Sequence, residues 1–252
     1  MPVDPNSVVG RPAVFLHIQK TAGTSITETV WGYYADSIAS HGDFVNRTPE
    51  SMRQYRFVSG HFGFEFAREL IESRYSFTFL RDPIERVLSL YYFCRTRDPK
   101  EFAIYETAHQ LELPEFLRAA RSPGLVHSHI CNQQVWQIAW GWGEGTAQKR
   151  TRESFADDEM LALARVNLRK FSFVGFAETL EEDYRKVLKD LGIPAPAEAP
   201  RSNATGPRPH TESLSGEALE LAREITALDQ ALYDEAWALR RGSSAGRTAE
   251  SG

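Results

Sequence analysis

Four short apolar runs, each leading through a turn into a helical stretch, constrain this chain more than any other feature. Pro12–Ile18 (PAVFLHI) continues through QKTAGTS into a helical stretch from about Ile26 to Tyr34. Phe57–His61 precedes Phe64–Ile71, Tyr75–Arg81 (YSFTFLR) precedes Ile84–Phe93, and Phe171–Phe176 (FSFVGF) precedes Leu180–Leu191. Runs this short and apolar read as strands buried on both faces. Strands that alternate with helices need right-handed crossovers, which lay helices on both sides of a mostly parallel sheet. The expected fold is three-layer α/β. Between about Lys100 and Leu168 the strand signal lapses, and helices are expected near Glu115–Ala120, His129–Trp140 and Asp158–Leu168, as a helical insertion on one side of the sheet.

Boundary residues agree with this layout. Asp82 stands where it caps the helix that follows the third run, with Pro83 in its first position and Glu85 three residues on; Thr179 and Glu182 repeat that spacing, and Gly192 with Pro194 ends the helix they begin. Pro194–Thr211 holds five prolines and no periodicity, so it reads as a loop able to order over a ligand. Leu214, Ala218, Leu221, Ile225, Leu228 and Leu232 form one stripe on a single last helix, which packs on its own domain or, alternatively, on a second copy in a homodimer. Residues 1–10 read as an arm, 11–241 as a single domain, and 242–252, small and polar, as a disordered tail.

Composition removes several classes of function. The chain has 252 residues, 42% of them hydrophobic, enough for a core that needs no staple. Its two cysteines, Cys94 and Cys131, form no CxxC pair, which argues against a secreted disulfide scaffold or a thiolate zinc site and for the reducing cytoplasm. The opening MPVDPNSVVG is no signal peptide, and no apolar run reaches the ~18–20 residues that span a bilayer. With a net charge of −5 the chain offers no general cationic surface for nucleic acid or a long polyanionic glycan. Any anion site is local.

Two local sites stand out. In His17-Ile18-Gln19-Lys20-Thr21-Ala22-Gly23-Thr24-Ser25 a buried strand turns through a glycine-containing loop into a helix, whose first N–H groups and positive dipole end favour an oxyanion. Lys20 adds a cation, and Thr24 and Ser25 add hydroxyls. A Walker A loop needs Gly-Lys at its end; the chain contains no such dipeptide, which disfavours a triphosphate kinase or ATPase. An ordinary turn carrying a surface lysine is the plain alternative. The second site is LRDPIERVLSLY, where Arg81 ends a strand at the sheet edge that binds ligands in open α/β folds. Its guanidinium suits a phosphate, Ser89 two turns on offers a hydroxyl to the same anion, and Arg86 is a weaker candidate. An ion pair with Asp82 or Glu85 is the structural alternative for Arg81.

HIQKTAGTS resembles the 5′-phosphosulfate loop, and LRDPIERVLSLY the 3′-phosphate motif, of sulfotransferases of the heparan sulfate 2-O type and their bacterial relatives. VSGHFGF resembles the segment with that group's catalytic histidine, NQQVWQIAWG its asparagine-glutamine helix, and VGFAETLEED its late strand-turn-helix, so the likeness runs from about Phe15 to Leu239. Gln19 stands where proline is usual, and Trp136 where arginine is expected. The resemblance implies a P-loop-like fold and transfer of the sulfuryl group of 3′-phosphoadenosine 5′-phosphosulfate (PAPS) to a small-molecule, lipid or saccharide acceptor, with adenosine 3′,5′-bisphosphate (PAP) as product and no metal. It assigns Lys20, Thr21, Ala22, Gly23, Thr24 and Ser25 to the 5′-phosphosulfate, Arg81 and Ser89 to the 3′-phosphate, Lys20 to the leaving oxygen and His61 to the base. His17 is a rival base by its place beside the loop, but within the strand it reads rather as a residue that orients Lys20 or Gln19. An ATP-dependent phosphotransferase and a nucleotide-binding module without chemistry are the alternatives.

Three further constellations are weighed more lightly. His127, His129 and Cys131 alternate but show no fourth ligand for a metal. Trp136, Trp140 and Trp142, with Phe62, Phe64, Tyr91, Tyr92 and Phe93, read mainly as core, a minority lining an apolar acceptor pocket. Lys149–Arg152 (KRTR) is a solvated loop or a hold for an anionic acceptor.

Overall fold

The computed structural model describes residues 10–142, 150–196 and 209–249. Its strands are β1 (Ala13–Leu16), β2 (Ile38–Ala39), β3 (Phe57–Gly60), β4 (Tyr75–Leu80) and β5 (Phe173–Phe176). All pair in parallel, in the order β2-β3-β1-β4-β5, with Val14 of β1 opposite Val58 of β3 and Ser76 of β4. β2 was not expected: with two residues it is too short to show a period. The helices up to the insertion are α1 (Gly23–Tyr34), α2 (Pro49–Met52), α3 (Phe64–Ile71) and α4 (Pro83–Arg95). The insertion holds α5 (Ala103–Gln110), α6 (Leu113–Ala119), α7 (Leu125–Ile130), α8 (Gln133–Ala139) and α9 (Asp157–Leu168). α10 (Leu180–Leu191), α11 (Gly216–Ile225) and α12 (Ala227–Ala249) complete the chain.

The three-layer arrangement follows from strand periodicity. Val14 and Leu16 of β1 join a core with Val58, Phe62, Phe66, Trp136 and Leu232, while Ala13 and Phe15 point the other way into a second core with Ile26, Phe77, Phe79 and Leu188. The insertion has a core of its own, built on Val87, Leu88 and Tyr91 of α4, Phe116 of α6, Ile130 of α7 and Leu221 and Ile225 of α11.

Several expectations are corrected by local chemistry. The stretch expected as one helix from His129 to Trp140 is two, because Asn132 lies in the left-handed region at φ 42°. The single last helix is also two, so its stripe divides: Ala218, Leu221 and Ile225 enter the insertion core, and Leu232 enters a sheet core. One straight helix cannot point a stripe at two separate cores. Asp82 does cap α4, its carboxylate accepting from the Glu85 amide at 2.9 Å. Thr179 does not cap α10; its hydroxyl instead donates to Asp183 at 2.7 Å. α12 runs through the boundary expected at Gly242, to Ala249. Residues 1–9 of the arm expected at 1–10 and the middle of the proline-rich loop, 197–208, lie outside the described residues.

Candidate active site

The carboxyl ends of β1, β3 and β4 deliver His17, His61 and Arg81 to one edge of the sheet, above a cleft of about 2030 Å³. Lys20, Ala22, Gly23, Thr24, Ser25, His61, Arg81 and Ser89 all line it. Thr21 does not. It is fully buried, and its hydroxyl donates to the Ile18 carbonyl at 2.8 Å, which makes it a brace of the turn rather than a donor to a ligand.

The loop takes its form from two left-handed residues, Lys20 at φ 67° and Ala22 at φ 76°. They reverse the chain so that α1 begins at Gly23, bringing the first helical amides to the cleft. Gly23 has to be glycine: a Cβ there would lie 2.2 Å from the imidazole of His17. Ala22 is under a different constraint, since an L-residue with a Cβ pays roughly 1–2 kcal/mol for this region. Ala22→Gly is therefore expected to stabilise the protein by about 0.5–1 kcal/mol in a denaturant melt, part of the relief being offset by the greater freedom of glycine in the unfolded chain. The ammonium of Lys20 rests 3.8 Å above the ring of Phe93.

His61 is oriented by a hydrogen bond of 2.8 Å between its Nδ1 and the His17 carbonyl. A carbonyl only accepts, so Nδ1 carries the hydrogen and Nε2 of the neutral ring keeps its lone pair. Gln137, in α8, donates to that same carbonyl at 3.1 Å and to the Phe62 carbonyl at 2.9 Å, tying the loops after β1 and β3 together. Gly63 permits the same closure from the other side: a Cβ there would lie 2.0 Å from the Trp140 carbonyl. Burial lowers the pKa of His61, the His17 hydrogen bond opposing and nearby His41 reinforcing the shift. Burial lowers that of His17 further, with His61, His41 and Lys20 adding repulsion. The two rings lie 4.6 Å apart.

These lowered pKa values predict that the fold loses stability in acid. As pH falls below about 6.5 the unfolded chain takes up protons that the folded imidazoles still refuse, so stability drops by up to about 1.4 kcal/mol per pH unit for each. Denaturant midpoints measured from pH 7.5 down to 5.5 are expected to decline, and His17→Gln to flatten the decline. An equal slope in that variant would place the linkage elsewhere.

Arg81 is fixed through its backbone. Its amide donates to the Gln134 side-chain carbonyl at 3.0 Å, and the Gln134 amide donates back to the Arg81 carbonyl at 2.9 Å. The guanidinium donates to the Lys20 carbonyl at 3.1 Å and stands 4.0 Å from the Glu85 carboxylate. The two sequence motifs thus touch. Arg86 is corrected from candidate to structural residue: it is wholly buried, donates to the Ile130 carbonyl at 3.1 Å, and stays cationic although burial brings its pKa down to about 10.

The glutamines belong to a helix held by a partner that sequence reasoning missed. Asp229, at the start of α12, accepts from the amides of Gln134 at 3.2 Å and Val135 at 2.7 Å, while Asn132 before α8 accepts from the amides of Leu228 at 2.9 Å and Asp229 at 3.2 Å. Each helix start is capped by the other. Nothing near Asp229 in the chain signals this, because the pairing is made only by packing. Gln134 and Gln137 were visible only as part of the asparagine-glutamine resemblance, without roles.

The lesser candidates resolve into structural parts. The His127 Nδ1 lies 2.7 Å from the Ala120 carbonyl and the His129 Nδ1 2.8 Å from that of Leu125; no metal-holding cluster of His, Cys, Asp or Glu occurs among the described residues. Arg152 is not in a solvated patch: it is buried against Trp136 and donates to the Gln133 side chain at 2.6 Å and to the His127 and Cys131 carbonyls. Arg150 sits over Phe155 at 3.6 Å and pairs with Glu159 at 3.2 Å, and Lys149 lies outside the described residues. Trp136 is core, whereas Phe93 lines the cleft. The far end of the proline-rich loop reaches the site, the Thr211 amide and hydroxyl both donating to Glu85 at 2.9 Å. No helix among the described residues is long and apolar enough to cross a membrane.

A parallel α/β sheet that brings a loop-to-helix turn carrying Lys20, an arginine and a histidine to one edge has the make-up of a site suited to an anionic group. Residues 11–234 match the family model described as "Sulfotransferase family", so the chain belongs to that family and its reaction is sulfuryl transfer. A search of curated proteins found no match.

Proposed function

We propose that the protein moves the sulfuryl group of PAPS to the hydroxyl of an acceptor, with His61 as base. The observation that carries this reading is the single cleft lined by both anion sites and by His61. The residues suit the donor: Gly23 leaves a bare backbone at the helix start, the Arg81 guanidinium donates to the Lys20 backbone carbonyl at 3.1 Å, which joins the two motifs, and Ser89 lines the same space. Lys20 and the Gly23, Thr24 and Ser25 end of the loop would hold the 5′-phosphosulfate; Arg81 and Ser89 would hold the 3′-phosphate. When bound, the donor supplies a sulfuryl group whose bond to the bridging oxygen of the 5′-phosphate breaks as a bond to the acceptor oxygen forms, leaving PAP and a sulfate ester.

The chain's own groups then have distinct tasks. The Lys20 ammonium stabilises charge developing on the leaving oxygen. His61 receives the acceptor proton at Nε2, the nitrogen that its hydrogen bond to His17 leaves as acceptor. Lowered in pKa by burial, it is neutral and ready throughout the neutral range.

Calorimetry with PAP against ATP plus magnesium tests the donor. Binding of PAP alone is expected, and preference for ATP would overturn the reading. In Arg81→Ala, PAP affinity is expected to fall by about 10- to 100-fold, the equivalent of losing charge-assisted hydrogen bonds of ~1.5–3 kcal/mol.

A further inference from the structure

Seven large apolar side chains stand in solvent among the described residues, and three of them, Val45, Phe102 and Leu125, line the cleft with the reacting groups. Phe102 is the most open, at 62%. Single exposed apolar residues are ordinary; three of them on the wall of one cleft offer apolar surface to a molecule that enters it. A continuous row of rings joins this wall to the chemistry. Phe102 meets Tyr105 edge-on at 5.2 Å, Tyr105 meets Phe93 edge-on at 6.1 Å, and Phe93 carries the Lys20 ammonium at 3.8 Å.

Charge narrows what lies there. The lysines and arginines on the described cleft wall are Lys20, Arg81 and Arg97, against four carboxylates, Asp82, Glu85, Glu178 and Glu212. With Lys20 and Arg81 assigned to the donor, Arg97 alone is left of them, and its guanidinium rests 4.5 Å from the Phe93 ring. The carboxylates gather beside Arg81, where the Asp82 amide donates to Glu178 and Thr211 donates to Glu85, so along the apolar wall a polysulfated or polyuronic chain would find Arg97 as the one described lysine or arginine not already assigned.

We infer that the acceptor is an alcohol with an apolar aryl or long alkyl body, lying along Phe93, Tyr105, Phe102 and Leu125 with its hydroxyl toward His61. This deepens, and rests on, the sulfuryl-donor reading. The test supplies the full chain with PAPS and one of four probes: 2-naphthol, 1-decanol, N-acetylglucosamine or a heparin-derived hexasaccharide. Products are read by mass for the gain of one sulfate. Sulfation of 2-naphthol or 1-decanol is expected, with the two sugars poor acceptors. In Phe102→Ser/Leu125→Ser, which touches exposed positions, KM for the apolar probe is expected to rise at least about tenfold with a much smaller change in kcat, as loss of part of the burial of two large apolar side chains requires. PAP affinity of the variant serves as the check that it has folded. Transfer to a sugar in preference to the apolar alcohols, transfer to no probe by a protein that binds PAP, or an unchanged KM overturns the acceptor class and leaves the donor reading standing. Failure of the wild type to bind PAP overturns the donor reading itself.

Discussion

His61→Ala is expected to lower kcat by about 10²- to 10⁴-fold, the range that a positioned general base supplies, while PAP binding survives. The two readouts separate because His61 and the groups proposed to hold the donor sit on different strands' ends: His61 follows β3, whereas Lys20 and Arg81 follow β1 and β4. The wild-type pH profile gives a second, independent check. Only neutral His61 accepts a proton, and burial has lowered its pKa, so kcat/KM is expected to climb with pH through a value below 6.5 and then stay level. Turnover near wild type in the alanine variant, or an acid limb centred above 6.5, would remove His61 from the role of base.

Asp229→Ala is expected to cost about 3–5 kcal/mol, the largest stability effect of any single change proposed, because it takes the acceptor from two buried amides and a carboxylate from the field of two buried guanidiniums. Asp229 is buried, caps two amides of α8, and shares its surroundings with the buried guanidiniums of Arg86 and Arg152. Burial raises the pKa of its carboxyl, and the two arginines and two amides pull it back. Removing it orphans both amides and leaves the two buried guanidiniums with their carbonyl and amide-oxygen partners but without this negative charge. Asp229→Asn keeps an acceptor and loses the charge, so it is expected to fall between wild type and alanine in denaturant midpoint. A loss under about 1 kcal/mol in the alanine variant would mean that the arginines are balanced by other groups. Because Gln134 in that capped turn also holds the backbone of Arg81, PAP affinity is expected to decline with it.

Both predictions bear on how much of the candidate site was legible in advance. That Lys20, His61, Arg81 and Ser89 come to one cleft was readable because each sits a short, fixed distance beyond an apolar strand or within the helix after it, and such local order survives in the linear chain. Thr21, which the resemblance assigns to the 5′-phosphosulfate, was not legible as a brace: the turn bends its Oγ1 back to Ile18. Arg86 was misread for the converse reason, its helix turning it into the protein towards Ile130. Arg152 looked like part of a charged loop and is instead a buried brace, its charge met by carbonyls distant in the chain.

The sequence alone determined the parallel α/β sheet, its crossovers and the position of the loop that starts α1, since strand and helix periods and helix caps are properties of neighbours in the chain. The break between α11 and α12, the mutual capping of α8 and α12, and the clasp of Gln137 on the His17 and Phe62 carbonyls were decided only by tertiary structure. Those features satisfy buried polar groups with partners dozens of residues away, and a buried group's need for a partner is fixed by its surroundings, whereas which partner it finds depends on the packing that brings distant segments together.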